Sequence, residues 1–219
     1  MDQLHRWCSQ LLAAASVFSA LGVCDWAVAQ SSASYGDVNA VAVSPDGAMV
    51  AVASDHLTVR HAASLKVHWQ PDADVGEARS VAFSRDGSLL VSGHRNGALR
   101  IWHCQDWGEA RVIQAHKASV NGVAFSADGE LLASASSDRT VGIWRVVTGE
   151  RIAACEGHSC TVNSVAFSPA GGTLASAASD MTVRLWDGTS GAEEARFEAH
   201  SSSVWSVSWS PDGHLLATG

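Results

Sequence analysis

The chain has 219 residues, of which 47% are hydrophobic and 16% are charged, and its formal net charge is −8. A chain so apolar and so sparsely charged is not disordered over its whole length, and its length allows one or two domains. An acidic chain without a cluster of Lys and Arg lacks the positive surface that nucleic-acid binding needs, so no nucleic-acid partner is expected.

Residues 1–29 differ from the rest of the chain. Residues 11–23 form an apolar run that is too short to cross a bilayer, which takes about 20 residues, so no transmembrane segment is predicted. The run has the length of a signal-peptide core, and Ala27 and Ala29 place small residues where a signal peptidase cleaves. We expect a signal peptide or leader and an exported protein if it is cleaved. A disordered leader or a mistaken start codon, with an intracellular protein, is the alternative.

A repeat of about 42 residues fills positions 30–219. A Ser-x-Asp-Gly motif, with Ala for Asp in the fourth copy, recurs together with a Trp and a His at the same period. The Ser positions are Ser44, Ser84, Ser126, Ser168 and Ser210; the Trp positions are Trp102, Trp144 and Trp186; the His positions are His116, His158 and His200. The copies are predicted at about 34–73, 74–115, 116–157, 158–199 and 200–219, and the last copy is truncated.

Each copy has the pattern of four short strands. In the third copy, alternating apolar and small residues predict strands at 120–126, 131–136, 141–145 and 151–155. Asp128-Gly129 supplies the residues of a hairpin turn between the first two. Four antiparallel strands in one copy cannot bury both faces alone, so the copies are expected to stack around an axis.

The repeat resembles that of the WD-repeat β-propeller family over residues 30–219. Gly157-His158, followed later in the copy by Leu185-Trp186-Asp187, is close to the family signature. The resemblance implies an all-β propeller of about four and a half four-stranded blades, which is an incomplete ring. The family usually has seven blades. We therefore expect a fragment of a longer propeller, with the missing blades supplied by the rest of the chain; closure by oligomerisation is the alternative.

The resemblance also implies a hydrogen-bonded tetrad of His, Ser or Thr, Asp and Trp in each blade. The structural tetrads expected in the third and fourth copies are His116, Ser134, Asp138 and Trp144, and His158, Ser176, Asp180 and Trp186. The second copy keeps Ser92 and Trp102. Asp74 and Asn96 stand in its His and Asp columns, which predicts a weakened network. The first copy lacks the tetrad, so both blades are expected to be less protected.

Two groups of side chains invite a chemical interpretation. His158, Ser176 and Asp180 are the residue types of a catalytic triad, but the same trio recurs in the third copy with a Trp each time, which favours a structural role. Cys155, His158 and Cys160 have the spacing of metal ligands but lack a fourth member. Neither a Walker loop nor an HExxH motif is present. We therefore predict no enzyme, no metal and no cofactor.

Equivalent positions in successive copies form a column, and columns in which the residue type varies are the candidates for binding a partner. One column near the start of each first strand contains Asn39, Arg79, Asn121, Asn163 and Trp205. In the family this column lies near the rim where partner peptides dock, so we interpret these residues as partner-binding. The predicted function is a non-catalytic scaffold that binds proteins or peptides at this rim. A sensor or regulatory domain of a larger signalling enzyme is the alternative.

Overall fold

The computed structural model describes residues 37–198 and 200–219, so the predicted leader lies outside the described residues. The described residues form strands and turns and contain no helix. None of them therefore forms a helix of the length and apolar character that would cross a bilayer. The strands are β1 (Ala40–Val43), β2 (Met49–Ala53), β3 (Thr58–His61), β4 (Val67–Trp69), β5 (Ala78–Phe83), β6 (Leu89–His94), β7 (Ala98–His103), β8 (Glu109–Gln114), β9 (Val120–Phe125), β10 (Leu131–Ser136), β11 (Thr140–Arg145), β12 (Arg151–Glu156), β13 (Val162–Phe167), β14 (Thr173–Ala178), β15 (Val183–Asp187), β16 (Glu193–Phe197), β17 (Val207–Trp209) and β18 (Leu216–Thr218).

The strands form five antiparallel sheets in chain order. Four sheets have four strands each, β1–β4, β5–β8, β9–β12 and β13–β16, and the fifth is the pair β17–β18. The first strand of each sheet packs against the first strand of the next, so the sheets radiate like blades. Over the described residues they form an open arc and not a closed ring. This confirms the predicted all-β, incomplete propeller.

The hydrophobic core lies between the sheets and not within any one of them. One buried cluster fills each of the four junctions between successive sheets. Its largest members include fully buried leucine and isoleucine side chains, each of which stabilises the fold by about 1.5–3 kcal/mol relative to an exposed one. Examples are Leu57 and Leu90, Leu99 and Leu132, and Ile143 and Leu174. Each sheet therefore depends on its neighbours for burial.

The Ser-x-Asp-Gly motif forms the hairpin between the first and second strands. In the third sheet, the Ser126 hydroxyl donates to Asp128 Oδ1 at 2.5 Å and accepts the Leu131 N–H at 2.9 Å. Asp128 Oδ1 also accepts the Glu130 N–H at 3.0 Å. Gly129 has a φ of 74°, which only glycine adopts without strain. The residues of the motif thus stabilise the hairpin turn that the sequence predicted.

Each sheet has two distinct ends because antiparallel strands alternate in direction. Turns that join first to second strands and third to fourth strands lie at one end, which we call the turn end. In the third sheet these are residues 126–130 and 146–150. Turns that join second to third strands lie at the opposite end with the connections to the next sheet, and we call it the clasp end. Residues 137–139 lie there in the third sheet.

A matched pair of glycine substitutions tests how tightly the sheets are joined. Gly97 and Gly129 both have positive φ, at 86° and 74°. A Cβ at Gly129 meets no atom within 4 Å, whereas a Cβ at Gly97 would collide with the His116 carbonyl oxygen of the next sheet. We expect Gly129→Ala to lower the free energy of unfolding by about 1 kcal/mol. Gly97→Ala should lower it substantially more, as measured by guanidinium unfolding, and equal losses would contradict the tight junction.

Candidate functional site

A buried serine hydroxyl joins a tryptophan to a histidine in the fourth sheet. The Trp186 indole N–H donates to Ser176 Oγ at 2.8 Å, and Ser176 Oγ lies 2.7 Å from His158 Nε2. His158 Nδ1 lies 2.9 Å from Asp180 Oδ2. A carboxylate accepts hydrogen bonds only, so Nδ1 carries the proton and Nε2 accepts from the serine. We call this chain of bonds the clasp. The third sheet repeats it with Trp144, Ser134, His116 and Asp138, at 2.8, 2.7 and 2.9 Å.

The clasp carboxylate lies in the turn between the second and third strands. Asp180 Oδ1 accepts the Thr182 hydroxyl at 2.7 Å, and Asp180 Oδ2 accepts the Ser159 N–H at 2.9 Å. Burial alone would raise the pKa of Asp180, but the hydrogen bonds from Thr182, His158 and Ser159 outweigh it and lower that pKa to about 2. Burial lowers the pKa of His158. At neutral pH the imidazole is therefore uncharged and the carboxylate is charged.

The clasp also accounts for the residues that resemble a catalytic triad or a set of metal ligands. Ser176 is fully buried, so no substrate reaches its hydroxyl, and both ring nitrogens of His158 are hydrogen-bonded. Cys155 is buried, which raises its thiol pKa to about 12, while Cys160 is exposed. His158 therefore serves the clasp and not a metal site.

The second sheet differs from the sequence-based prediction of a weakened network. The Trp102 indole N–H donates to Ser92 Oγ at 3.1 Å, and Ser92 Oγ lies 2.9 Å from Nε2 of the fully buried His94. His94 Nδ1 lies 3.3 Å from the Gly76 carbonyl oxygen. Thus His94 replaces the missing histidine and a backbone carbonyl replaces the carboxylate, so the substitutions at Asp74 and Asn96 leave the network of the second sheet connected. Asp74 instead accepts the Gly76 N–H at 2.9 Å.

The substitute histidine left a signal in the sequence. Ser92 and His94 are two residues apart on β6, so both side chains lie on the same face of the strand. The equivalent positions in the third and fourth sheets are Ser136 and Ala178, so the second copy alone among these three has a histidine there. A comparison of the columns by strand face, and not only by motif position, would have found it.

Three of the predicted partner-binding residues form bonds between sheets. The side-chain amides of the asparagines each donate to a backbone carbonyl at the start of the next sheet: Asn39 to Ala78 at 2.9 Å, Asn121 to Val162 at 3.0 Å and Asn163 to Val204 at 2.8 Å. Arg79 instead pairs with Glu77 at 2.8 Å within its own sheet. The asparagines thus set the spacing of neighbouring sheets, a role that the sequence analysis missed.

Trp205, the fifth member of that column, lies on the surface at the clasp end. Trp205 is 44% exposed, and Met181, in the turn between β14 and β15, is 45% exposed. The Ala178 carbonyl oxygen holds the two segments together because it accepts the N–H groups of both Met181 and Val204. Met181 has a φ of 68°, a backbone conformation that is unfavourable for residues other than glycine. Trp209, by contrast, packs in the junction of the fourth and fifth sheets and donates to the Ala166 carbonyl at 3.1 Å.

Because the second clasp is closed, Trp102 should matter as much as its counterparts. Trp102, Trp144 and Trp186 are 4%, 4% and 1% exposed. We expect each Trp→Ala substitution to lower the free energy of unfolding by about 3–5 kcal/mol. Chemical unfolding of the three variants measures this. A much smaller loss for Trp102→Ala would show that His94 does not complete the clasp.

The buried His94 gives stability a specific dependence on pH. Burial lowers its pKa to about 4, below the value of about 6.5 in an unfolded chain. As the pH falls, the unfolded chain therefore binds a proton at this histidine before the folded protein does. The contribution of the neutral His94 to the free energy of unfolding is complete above pH 6.5 and is lost as the pH falls from about 6.5 to about 4. Replacing His94 with Gln should remove roughly 3 kcal/mol of this dependence. His56→Gln, at an exposed position, is the control substitution for comparison.

Comparison with known proteins agrees with this architecture. The family model of the IFT122 first beta-propeller matches residues 77–219, more than half of the chain, and the model of the WD domain, G-beta repeat, matches residues 28–61. The chain is 38% identical over 74 residues to a guanine nucleotide-binding protein subunit beta of Nicotiana tabacum, which covers 31% of this chain and 20% of that protein. It is 41% identical over 44 residues to a WD repeat-containing protein 3 homolog of Dictyostelium discoideum, covering 20% and 5% of the two chains.

The matches extend over only a small part of those relatives. The chain spans about a fifth of the length of the tobacco protein that it matches. The family model, in contrast, spans the second to fifth sheets. The chain belongs to the WD-repeat β-propeller family.

Proposed function

We propose that the chain is a non-catalytic scaffold that binds a peptide segment of a partner protein at its clasp end, with Trp205 as the main contact. WD-repeat propellers generally act as protein-interaction scaffolds and are typically non-catalytic. The observation that carries the proposal is the exposure of Trp205 at the junction of the fourth and fifth sheets, where the Ala178 carbonyl joins the segments of Met181 and Val204.

The chemistry of Trp205 suits an interaction surface. Aromatic side chains, tryptophan above all, contribute most to protein interfaces when polar neighbours surround them. Asn163 holds the segment that precedes Trp205, because its amide donates to the Val204 carbonyl at 2.8 Å and to Ser179 Oγ at 3.0 Å. Met181 has a positive φ, as do Gly97 and Arg139 at the equivalent turn position of the second and third sheets, so this conformation belongs to the turn.

The rest of the predicted column has a positioning role in this proposal. Asn39, Asn121 and Asn163 hold successive sheets at a fixed spacing through their amide bonds. Arg79 is 35% exposed in its side chain and offers a polar contact at the second sheet. A bound peptide would thus cross a rim whose spacing is set by asparagines and whose apolar contact is Trp205.

Substitution of Trp205 separates recognition from folding. Peptides selected from a random phage-displayed library against the whole chain serve as ligands, and calorimetry measures their affinity. Trp205→Ala should weaken binding by about 2 kcal/mol or more and leave the melting temperature nearly unchanged. Phe197→Ala removes an aromatic side chain of similar exposure, 46%, on the outer strand β16 and is the matched control.

Trp209→Ala provides the opposite case. Trp209 packs in the core, so its removal should lower the melting temperature of the fifth sheet. If Trp205→Ala destabilises the protein as much as Trp209→Ala, or if Phe197→Ala weakens binding equally, Trp205 is not the main contact.

A further inference from the structure

The chain contains two Asn-Gly dipeptides, Asn96-Gly97 and Asn121-Gly122. Asparagine is chemically reactive in this context, because the backbone nitrogen of the next residue can attack the side-chain carbonyl carbon. Glycine has no side chain to shield that nitrogen. Asn96 is exposed in the turn between β6 and β7 at the clasp end, whereas Asn121 is half-buried on β9. The same dipeptide is therefore held in two different surroundings.

The turn of the second sheet brings the reacting groups of Asn96 together. Asn96 Oδ1 accepts the Ala98 N–H at 3.1 Å. The ring of atoms that this bond closes contains both Asn96 Cγ and the Gly97 nitrogen, so the side chain is folded back along its own turn. The bond also places a fixed donor on the oxygen that gains negative charge during the attack. One bond opposes the reaction: the Gly97 N–H donates to the His94 carbonyl at 3.1 Å, near the long end of the usual range.

Asn121 is held in a way that blocks the reaction. Its Nδ2, the atom that would have to leave, donates to Ser137 Oγ and to the Val162 carbonyl, both at 3.0 Å. Gly122 pairs with Ala135 inside the sheet, which fixes the peptide that would have to rotate. Attack at Asn121 therefore requires β9 to open first.

Asn96 also occupies the place of the clasp aspartates. Asp138 Oδ1 accepts the Thr140 N–H at 3.0 Å, and Asp180 Oδ1 accepts the Thr182 N–H at 3.1 Å, which is the bond that Asn96 makes in its own turn. The negative charge of a carboxylate makes its carbon a poor target for a nucleophile. Among these three turns, only that of the second sheet thus contains the reactive amide.

We propose that Asn96 is a site of spontaneous deamidation, which converts it to aspartate or isoaspartate. The Gly97 nitrogen loses its proton to solvent base and forms a bond to Asn96 Cγ. The bond from Cγ to Nδ2 then breaks, and Nδ2 takes a proton from water and leaves as ammonia. A water molecule opens the resulting cyclic imide by adding to either of its carbonyl carbons. Asparagine and water thus give aspartic or isoaspartic acid and ammonia.

The isoaspartate product would disturb the junction between the second and third sheets. It inserts the side-chain methylene of residue 96 into the backbone immediately before Gly97. The Gly97 carbonyl accepts the N–H groups of Ala115 and His116 at 3.1 and 3.0 Å, and the His116 carbonyl oxygen lies where a Cβ of Gly97 would be. The lengthened backbone therefore has no space without displacing these bonds. This inference does not depend on peptide binding at Trp205.

Peptide mapping by mass spectrometry, after incubation of the whole chain in mildly alkaline buffer, measures conversion at both dipeptides. The same chain kept unfolded in guanidinium chloride gives the reference rates, which should be similar for Asn96 and Asn121. In the folded chain we expect Asn96 to convert at least about tenfold faster than Asn121, because only Asn121 has to wait for its strand to open. A smaller ratio in the folded chain overturns the inference.

Two substitutions of Asn96 separate the reaction from its effect on stability. Asn96→Gln should remove the isoaspartate that the folded chain accumulates, detected with an isoaspartyl methyltransferase, because glutamine closes a larger ring slowly. Asn96→Asp supplies the charge without lengthening the backbone, so the freshly prepared variant should melt close to fresh wild-type protein. Incubated wild-type protein should melt at a lower temperature than both. Isoaspartate that persists in Asn96→Gln, or an equal loss of melting temperature in fresh Asn96→Asp, contradicts this account.

Discussion

The structure depends on one buried hydroxyl in each complete clasp. A serine oxygen with no contact to water accepts an indole N–H and donates to an imidazole, and each of these groups would be destabilising if it were buried without a partner. The tryptophan of the clasp also fills the core between its own sheet and the preceding one. The clasp therefore joins the polar interior of a sheet to the apolar junction between sheets, and neither forms without the other.

The second sheet shows that a closed clasp requires the chain of hydrogen bonds and does not require the His and Asp of the motif. Asp74 and Asn96 occupy the histidine and aspartate columns, and the motif is absent by position. His94 reaches the same serine from its own strand, and the Gly76 carbonyl accepts the ring N–H. The buried network is thus complete with a neutral histidine and a neutral acceptor. Its proton balance differs from the charged clasps of the third and fourth sheets, where aspartate is the acceptor.

The period of the sequence predicted the fold well because turn chemistry and burial both repeat with it. The strands of the third sheet begin and end within one residue of the predicted positions. The bonds between sheets were not predictable in the same way. The amide of Asn121 reaches a carbonyl at Val162, about one repeat away, and a column of sequence does not show that direction. The positive φ of Leu65 and Trp107 was likewise hidden, because neither residue type favours that conformation.

Among the described tryptophans, Trp102, Trp144 and Trp186 close clasps, whereas Trp205 is exposed on the surface. Hydrogen exchange of the ¹⁵N-labelled indole groups in the native protein measures this division most directly, because a closed clasp protects its indole N–H from water. The account predicts that Trp102, Trp144 and Trp186 exchange with similar, slow rates, although only two of their clasps contain aspartate. Exchange of the Trp102 indole at the rate of an exposed tryptophan, with Trp144 and Trp186 protected, would contradict it.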